Sequence, residues 1–373
     1  MRKSVDWYFT LYWGAVAILL PIFSMVGTTA MTPRYARDML FLFSALASVC
    51  IFGFGKIKDK RLGLFAGAFL LIGFVGSYDI THFTSIIHLL LISAFLVCLV
   101  QFRSFKVDRE LILNLVCVAG IMQCVFGVLN YFGVSMLKVL FMFSPTVRIL
   151  QNYNPVGIVG SFDNQNVFGS FLSMTLPCFF RKKWCYFIPV IALMIIASKS
   201  ATPVIGIGCA VIGVYYGAKL TKYLFLAPIG ALLTTVALCF NEYTYTKIIR
   251  VRIWFNILYK TIGFTIPERI FGAGAGFIPR NGSAWSTSGM DVLGHKGVTS
   301  QGHNEYIDLF IQNGILGIVV AMLFLKYYRQ EDPIFIAMIM VALVGSFTHF
   351  FFHISITSLL FIFANGNYKK AVV

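Results

Sequence analysis

Charged side chains are scarce in this 373-residue sequence: they make up 12% of it, whereas apolar residues make up 58%. A soluble domain carries roughly a quarter of its residues as charged ones to cover its surface. The composition therefore excludes an ordinary soluble enzyme and predicts a membrane protein. Acidic residues are fewer than basic ones, with 14 Asp and Glu against 30 Lys and Arg, which gives a formal net charge of +16. In a soluble chain that excess would suggest a nucleic-acid partner; in an apolar chain the first question is whether the cations lie between membrane spans.

Several other features are missing. The sequence has no internal repeat, no low-complexity tract and no separate soluble domain. Its eight cysteines include no CxxC pair and lie in or beside apolar stretches, which favours buried small residues over disulfides or zinc ligands. We therefore expect no metal, no cofactor and no nucleic-acid partner. The first apolar stretch is long and is followed by no evident cleavage site, so a signal anchor is expected.

About twelve apolar segments have the character of α-helical spans, with ten to thirteen as the range, since a span needs roughly 20 mainly apolar residues. The sequence thus predicts an all-α polytopic membrane protein, 1–373, forming one membrane domain. The segments centre on Tyr12–Ala30, Met39–Gly55, Leu62–Ser77, Phe83–Phe102, Leu111–Asn130, Asn166–Phe180, Trp184–Ala197, Pro203–Gly217, Tyr223–Phe240, Glu305–Tyr327, Phe335–Phe350 and His353–Ala364.

The cations between these segments predict the orientation. With the N-terminus in the cytoplasm, 18 of the 30 Lys and Arg fall in inner loops and only five in short outer loops, as the positive-inside rule requires. Both termini are then cytoplasmic. The five in short outer loops are Arg34, Arg37, Lys138, Arg148 and Lys199. The other seven all fall in one outer segment, 241–302, between the ninth and tenth spans: Lys247, Arg250, Arg252, Lys260, Arg269, Arg280 and Lys296.

This basic outer segment needs an explanation other than topology. One interpretation is a solvated loop that touches anionic lipid headgroups. A sharper one is a site for a bound polyanion such as a lipid diphosphate, because the planar fork of arginine binds phosphate oxygens bidentately. Gly272-Ala-Gly274-Ala-Gly276 lacks the βαβ surroundings of a nucleotide-binding loop, so a flexible or closely packed turn is expected there, although its backbone N–H groups can assist an anion.

His303 stands where the tenth span begins, beside Asn304 and Glu305. Histidine titrates near neutrality and is the commonest general base, although an interfacial histidine can also be purely structural. His349 and His353 have a metal-ligand spacing but no accompanying carboxylate or cysteine, so no metal site is predicted. No motif surrounds His88.

The residues around His303 resemble a known family. Gly302-His303-Asn304-Glu305-Tyr306-Ile307, followed by Asn313-Gly314-Ile315-Leu316-Gly317, is similar to the His-Asn-x-Tyr-Leu … Gly-Ile-x-Gly signature of the O-antigen ligase and polymerase family. Upstream, Arg252-Ile253-Trp254 and the segment from Arg269 to Phe277 resemble its Gly-Arg-x-x-x-Trp … Phe-Gly-x-Gly-x-Gly pattern, with Val251 in place of the usual small residue. The stretch 163–169 and Ser198-Lys199-Ser200 match its Asn-Pro-Asn and Ser-Arg stretches more weakly, with Lys199 in place of arginine.

The resemblance implies a GT-C-like fold and a metal-independent, inverting glycosyltransferase that moves a glycan from undecaprenyl diphosphate to a sugar hydroxyl on the periplasmic face of a bacterial inner membrane. His303 is then the general base. Arg252, with Arg250 or Arg269, and Lys199 would bind the diphosphate. Asn164, Asn166, Asn304 and Glu305 would bind or orient substrate, and Asp308 is a second candidate for orienting His303.

The resemblance leaves three kinds of acceptor open, and one function other than an enzyme remains an alternative. A ligase, whose acceptor is the lipid A core, is slightly favoured over a polymerase, whose acceptor is a second lipid-linked repeat. A protein O-glycosyltransferase usually carries a larger soluble C-terminal part than is seen here. A polytopic transporter or flippase of a lipid-linked anion is the alternative outside enzymes.

Overall fold

The computed structural model describes residues 2–23, 33–55, 60–75, 83–132, 157–162, 164–275, 277, 304–348 and 355–368. Within these ranges the chain is helical and contains no strand, apart from one isolated bridge between Val107 and Tyr368. The α-helices are α1 (Arg2–Phe23), α2 (Pro33–Phe52), α3 (Lys60–Val75), α4 (Phe83–Ser104), α5 (Arg109–Tyr131), α6 (Gln165–Thr175), α7 (Ile188–Ala197), α8 (Ala201–Leu220), α9 (Ala227–Cys239), α10 (Glu242–Lys247), α11 (Ile249–Thr261), α12 (Ile266–Phe271), α13 (Glu305–Tyr327), α14 (Pro333–Thr348) and α15 (Ser355–Ala364).

Several helices are long and apolar enough to cross a membrane, in keeping with the expected all-α membrane protein. Five such stretches occur in the described chain: Ser4–Ile22, Ile86–Ser104, Arg109–Tyr131, Ala201–Cys239 and Glu305–Tyr327. Large apolar side chains point outward from the helices; Leu64 is 72% exposed, and Leu193 and Leu233 are each 64% exposed. Faces of this kind suit contact with lipid rather than with water. The count of twelve spans stays a prediction.

The helix boundaries differ from the expected ones in two informative places. Helix α1 begins at Arg2 and not near Tyr12. One polar residue of its first turns is held inside the protein, since Asp6 is buried and its Oδ1 accepts the Lys106 N–H at 3.2 Å. The expected span 166–180 is α6 followed by a 3₁₀ turn, Leu176–Phe180. Pro177 stands at the start of that turn and has no backbone N–H to continue an α-helix.

The main core joins α1, α2, α4, α5, α6, α14 and α15. A buried chain of hydrogen bonds crosses it: the Trp13 indole donates to Ser48 Oγ at 3.1 Å, Ser48 donates to Gln101 Oε1 at 2.9 Å, and Gln101 Nε2 donates to the Gly53 carbonyl at 2.7 Å. Buried polar groups must be paired in this way in an apolar interior. These three hydrogen bonds therefore hold α1, α2 and α4 against one another.

Helices α8 and α9 form one apolar run of 39 residues. At 1.5 Å per residue this is about 58 Å, twice the ~30 Å hydrocarbon thickness, so it does not suit a single straight crossing. A 3₁₀ stretch at Thr221–Leu226 divides the run, and the two parts pack on different partners: α8 on α14 and α9 on α13. At Gly213 the backbone of α8 lies so close to α14 that a Cβ on this residue would be 2.5 Å from the Ala337 Cα.

Candidate functional site

The basic outer segment folds into three short helices over its described part, 241–275. The Asn241 side chain begins α10 by accepting the Thr244 N–H at 3.1 Å. At Ile248 the backbone becomes extended (φ −112°, ψ 106°), which separates α10 from α11. A reciprocal pair of hydrogen bonds between Thr265 and Glu268, the capping box, starts α12. Residues Lys247 to Trp254 are therefore helical apart from the break at Ile248.

Helix α11 packs against the first turns of α13. Val251 and Trp254 are buried in a small apolar cluster with Cys239 of α9 and with Ile307 and Ile311 of α13. Val251 lies between Arg250 and Arg252 in sequence, so both arginines belong to the helix that packs on α13. The structure thus brings together two motifs that are about 50 residues apart in sequence, namely the basic helix and the start of the helix that follows His303.

His303 itself lies outside the described residues, as do His349 and His353. Its neighbour Asn304 is fully buried. The Asn304 Oδ1 accepts the N–H groups of Tyr306 and Ile307 at 3.0 and 3.2 Å, and its Nδ2 donates to Thr235 Oγ1 at 2.9 Å. Asn304 therefore caps α13 and ties it to α9, which accounts for an asparagine at this position without a substrate.

The three candidate arginines lie in different surroundings. Arg250 is partly buried, and this burial lowers the pKa of its guanidinium from the ordinary arginine value. Arg252 donates from Nε to the Tyr245 carbonyl at 2.9 Å. The exposed Arg269 donates to the carbonyls of Phe264 and Ile262 at 3.1 and 3.0 Å, just beyond the end of α11. Each guanidinium carries five N–H donors in a planar fork, a geometry that phosphate oxygens accept bidentately.

The glycine-rich segment docks on a break in α13. At Gly314 the backbone is non-helical (φ 63°, ψ −164°), and the N–H groups of Ala273 and Gly274 donate to the carbonyls of Ile311 and Gln312 at 2.7 and 3.1 Å. Gly272 has a φ of 83°, and a Cβ there would lie 2.3 Å from the Gln312 carbonyl carbon. The closely packed turn is confirmed, and the N–H groups of residues 272–274 bind carbonyls of the chain instead of an anion.

Asn164 and Asn166 lie at the start of α6, beside the turn that carries Lys199. The Asn164 Oδ1 caps α6 by accepting the Asn166 N–H at 2.7 Å, and Asn166 Oδ1 accepts the Ser200 hydroxyl at 2.5 Å. Lys199 is exposed between α7 and α8 and has a φ of 55°. A left-handed conformation is unfavourable for a residue with a side chain, so the surrounding hydrogen bonds must hold it. Helix α7 packs on α5, α6 and α8, whereas α11 packs on α9, α10 and α13. Convergence of Lys199 with the arginines stays a prediction.

A cavity of about 240 Å³ follows α13 on the side away from α11. Most of its lining is apolar, from α2, α3, α4, α13 and α15, but Glu305 and Asn313 of the sequence motifs also line it. The other polar lining residues are ones that the motifs did not single out: Asp38, His88, Gln312 and Ser358. Arg37 next to Asp38 was expected in an outer loop; instead it lies in α2 and is only 2% exposed, with its Nε 3.6 Å from Asp38 Oδ1. The sequence signal for this pair was an adjacent Arg and Asp directly before an apolar stretch. In the described chain, no group of three or more His, Cys, Asp or Glu is arranged to hold a metal ion.

No protein-family model, curated protein or solved structure matches this chain.

Proposed function

We propose that this chain is an integral membrane glycosyltransferase that moves a glycan from undecaprenyl diphosphate to a sugar hydroxyl at the outer, periplasmic face of a bacterial inner membrane. The observation that carries the proposal is the packing of the basic helix α11 on the start of α13. This packing joins the two stretches that resemble the O-antigen ligase and polymerase signature. A cationic helix thereby lies beside the chain that leads into the proposed base, His303.

The reaction requires two groups from the protein, a general base and cations that stabilise the leaving group. The acceptor oxygen forms a bond to the anomeric carbon while the bond from that carbon to the diphosphate oxygen breaks, and undecaprenyl diphosphate leaves with the electron pair. His303 takes the proton of the acceptor hydroxyl, a step worth on the order of 10² to 10⁴ in rate. Arg252 and Arg250 neutralise the charge that develops on the leaving diphosphate.

The remaining candidates act around these groups. Lys199 and Arg269 would contact the diphosphate as additional cations, with Lys199 acting as a point charge. Asn164 and Asn166 would bind sugar hydroxyls or phosphate at the N-terminus of α6. Glu305 would orient His303 or the acceptor.

A transfer assay tests the proposal. The protein is purified into lipid nanodiscs and supplied with undecaprenyl-diphosphate-linked glycan and an acceptor. We expect His303→Ala to lower product formation by about 10²- to 10⁴-fold and Arg252→Ala by about 10²- to 10³-fold. Lys182→Ala removes an exposed cation expected on the inner side and serves as the matched control. Unchanged product formation in both site variants would remove the catalytic assignment.

Ligase action is slightly favoured, and polymerase action is the alternative. The two differ in the lipopolysaccharide ladder of a cell that lacks the gene: loss of every O-antigen-bearing band indicates a ligase, whereas survival of core plus one repeat indicates a polymerase. The proposed partners are the lipid-linked glycan donor, either of these acceptors, and the surrounding lipids.

A transporter or flippase of a lipid-linked anion is the second candidate. Transporters bind their substrates near discontinuous helices and buried ionisable groups, and here α13 breaks at Gly314 while Asp38 and Glu305 are buried. The same nanodisc preparation, with reconstitution into sealed vesicles, separates the two classes. Substrate movement without a new glycosidic bond would favour the transporter.

A further inference from the structure

One half of the cavity beside α13 has an apolar wall. The polar lining residues of α13 itself, Glu305, Gln312 and Asn313, all lie in the first half of that helix. From Val320 to Leu325 the described lining has no polar side chain, and the same holds for the lining from α3 and for that from α4 beyond His88. The polar and apolar parts of the cavity are therefore separated along α13.

The remaining polar lining residues lie at the same end as Glu305. They stand near the starts of α2, α4 and α15, namely Asp38, His88 and Ser358. The ends of these three helices lie together at the end of α13: Gln101 of α4 donates to the Gly53 carbonyl after α2 at 2.7 Å, and Gln330 after α13 donates to the Ala364 carbonyl of α15 at 2.7 Å. Their starts therefore lie on the side where α13 starts.

The apolar half has the length of one leaflet of a bilayer. It follows α13 from Asn313 to Leu325, a path of about 18 Å at 1.5 Å per residue. Half of the ~30 Å hydrocarbon thickness is about 15 Å. A wall without polar groups over this length suits an extended hydrocarbon chain, because burial of apolar surface is favourable and no polar group of the wall loses a partner.

Several segments meet where the apolar half ends. Leu62 at the start of α3, Val100 near the end of α4 and Tyr328 just beyond α13 form one small buried cluster. The 3₁₀ stretch Thr221–Leu226 packs on α13 as well, and Pro228, which follows it, lines the cavity. The positive-inside pattern predicts that this end of the cavity is cytoplasmic.

Cations are concentrated at this end. The segments 60–66, 219–228 and 321–329 contain no acidic residue but six basic ones: Lys60, Arg61, Lys219, Lys222, Lys326 and Arg329. The Arg61 Cζ lies 5.7 Å from the centroid of the Tyr327 ring, and the Lys326 Nζ lies 5.8 Å from that of the Phe225 ring. These contacts with aromatic rings hold both cations beside the end of the cavity.

An anionic headgroup suits these cations. Lys222 and Lys326 are exposed, and neither forms an ion pair with a residue in the described part of the chain. Basic pockets between membrane helices on the cytoplasmic side bind the headgroups of anionic phospholipids. Topology alone explains cations on this side of the membrane, but it does not explain an apolar cavity that ends among them.

We propose that this end of the cavity binds an anionic phospholipid of the cytoplasmic leaflet. One acyl chain lies in the apolar half of the cavity, between α3, α4 and α13. Arg61, Lys222 and Lys326 contact the phosphodiester and neutralise its charge. The site lies at the opposite end of α13 from the packing on α11, and it does not depend on the proposed glycosyl transfer.

Photolabelling in phosphatidylcholine nanodiscs tests the proposal. Two probe lipids carry a diazirine near the end of the same acyl chain and differ only in the headgroup, which is phosphatidylglycerol or phosphatidylcholine. We expect the phosphatidylglycerol probe to label the cavity wall at Phe95, Leu96 and Phe324 about fivefold more, a ratio that corresponds to about 1 kcal/mol. Both probes should label the outward-facing Leu64 alike. Equal labelling of the cavity wall by the two probes, or labelling confined to outward faces such as that of Leu64, would overturn the proposal.

A charge substitution tests the headgroup contact. Lys326→Gln should lower labelling of the cavity wall by the phosphatidylglycerol probe about fivefold. Lys182→Gln is the matched control, since Lys182 is an exposed cation predicted on the same side but outside the three basic segments. Excess inorganic phosphate should leave the labelling unchanged. A Lys326→Gln protein that keeps the full preference for phosphatidylglycerol contradicts the headgroup assignment, and displacement of the probe by inorganic phosphate contradicts the role of the chain.

Two substitutions on α13 test the chain-binding half. Ala321 lines the cavity, whereas Val319 is 41% exposed on the outside of the helix. Ala321→Trp should abolish most labelling at Phe95 and Leu96, and Val319→Trp should retain it. Where Ala321→Trp does not fold, Ala321→Leu should lower the same labelling in part. Labelling at Phe95 that is unchanged when the cavity is filled shows that the chain lies elsewhere.

Discussion

The contact between the glycine-rich segment and the break in α13 predicts a large effect for Gly314→Ala. A Cβ at Gly314 would lie 2.3 Å from the Ile270 carbonyl oxygen, 2.4 Å from its carbon and 2.6 Å from the Gly272 nitrogen. All three are backbone atoms, so no side-chain rotation relieves the contact. The backbone at φ 63° and ψ −164° is also one that only glycine adopts readily.

The expected cost follows from three contributions. The unfavourable backbone conformation contributes about 1–3 kcal/mol, and overpacking contributes a further ~1–3 kcal/mol. Separation of the two segments would weaken the hydrogen bonds from Ala273 and Gly274 to α13, each worth about 1 kcal/mol net. We therefore expect a loss of about 4 kcal/mol. At roughly 2 °C per kcal/mol for a large domain, Tm should fall by about 8 °C.

Thermal unfolding of the purified protein in detergent measures this effect. Gly208→Ala in α8 is the matched control, because a Cβ at Gly208 meets no atom within 4 Å and alanine is the better helix former by up to about 1 kcal/mol. Its Tm should stay the same or rise slightly. If Gly314→Ala melts at the temperature of Gly208→Ala, the docking of these two segments does not contribute to stability as described.

Of three further predictions, two concern single hydrogen bonds and one concerns a backbone angle. Thr235→Val removes the partner of the buried Asn304 Nδ2 and should cost about 1–3 kcal/mol, whereas Thr234→Val at the exposed neighbour should change Tm little; equal shifts would contradict the hydrogen bond between α13 and α9. Ser48→Ala leaves the buried indole N–H of Trp13 without its partner and should cost about 1–3 kcal/mol, measured by the same thermal unfolding. An unchanged Tm would contradict this hydrogen bond between α1 and α2. Lys199→Gly relieves the left-handed backbone and should stabilise the protein by about 1 kcal/mol, while glycosyl transfer falls because the cation is lost; a variant that is more stable and fully active would remove this residue from the site.

The helical, apolar character of the chain and most helix positions followed from the sequence alone. Helix α4 begins at Phe83, and α5 extends the expected Leu111–Asn130 by a residue or two at each end. Such boundaries are local: they depend on the length of an apolar run and on caps such as Asp108, which accepts the Leu111 N–H at the start of α5.

Only part of the candidate site could be predicted from local sequence patterns. The cations of 241–302 and the motif at Gly302-His303-Asn304 are contiguous in sequence, so local patterns reveal them. Asn304 shows the limit: the sequence predicts a substrate-orienting role, which stays a prediction, and only the structure shows that its side chain caps α13 and binds Thr235. An asparagine that caps a helix and one that binds a sugar are the same residue in a sequence.

The sequence by itself determined that this chain is apolar and helical and that seven of its cations fall in one segment, 241–302, which it predicts to be outer. Only the tertiary structure decided that α11 lies on one face of α13 and the cavity on the other, and that Arg37 and Asp38 are buried. The physical reason is that helix periodicity and apolar length are properties of neighbouring residues. The choice of which faces pack together depends on contacts between segments far apart in the chain, such as Gly272 against Gly314.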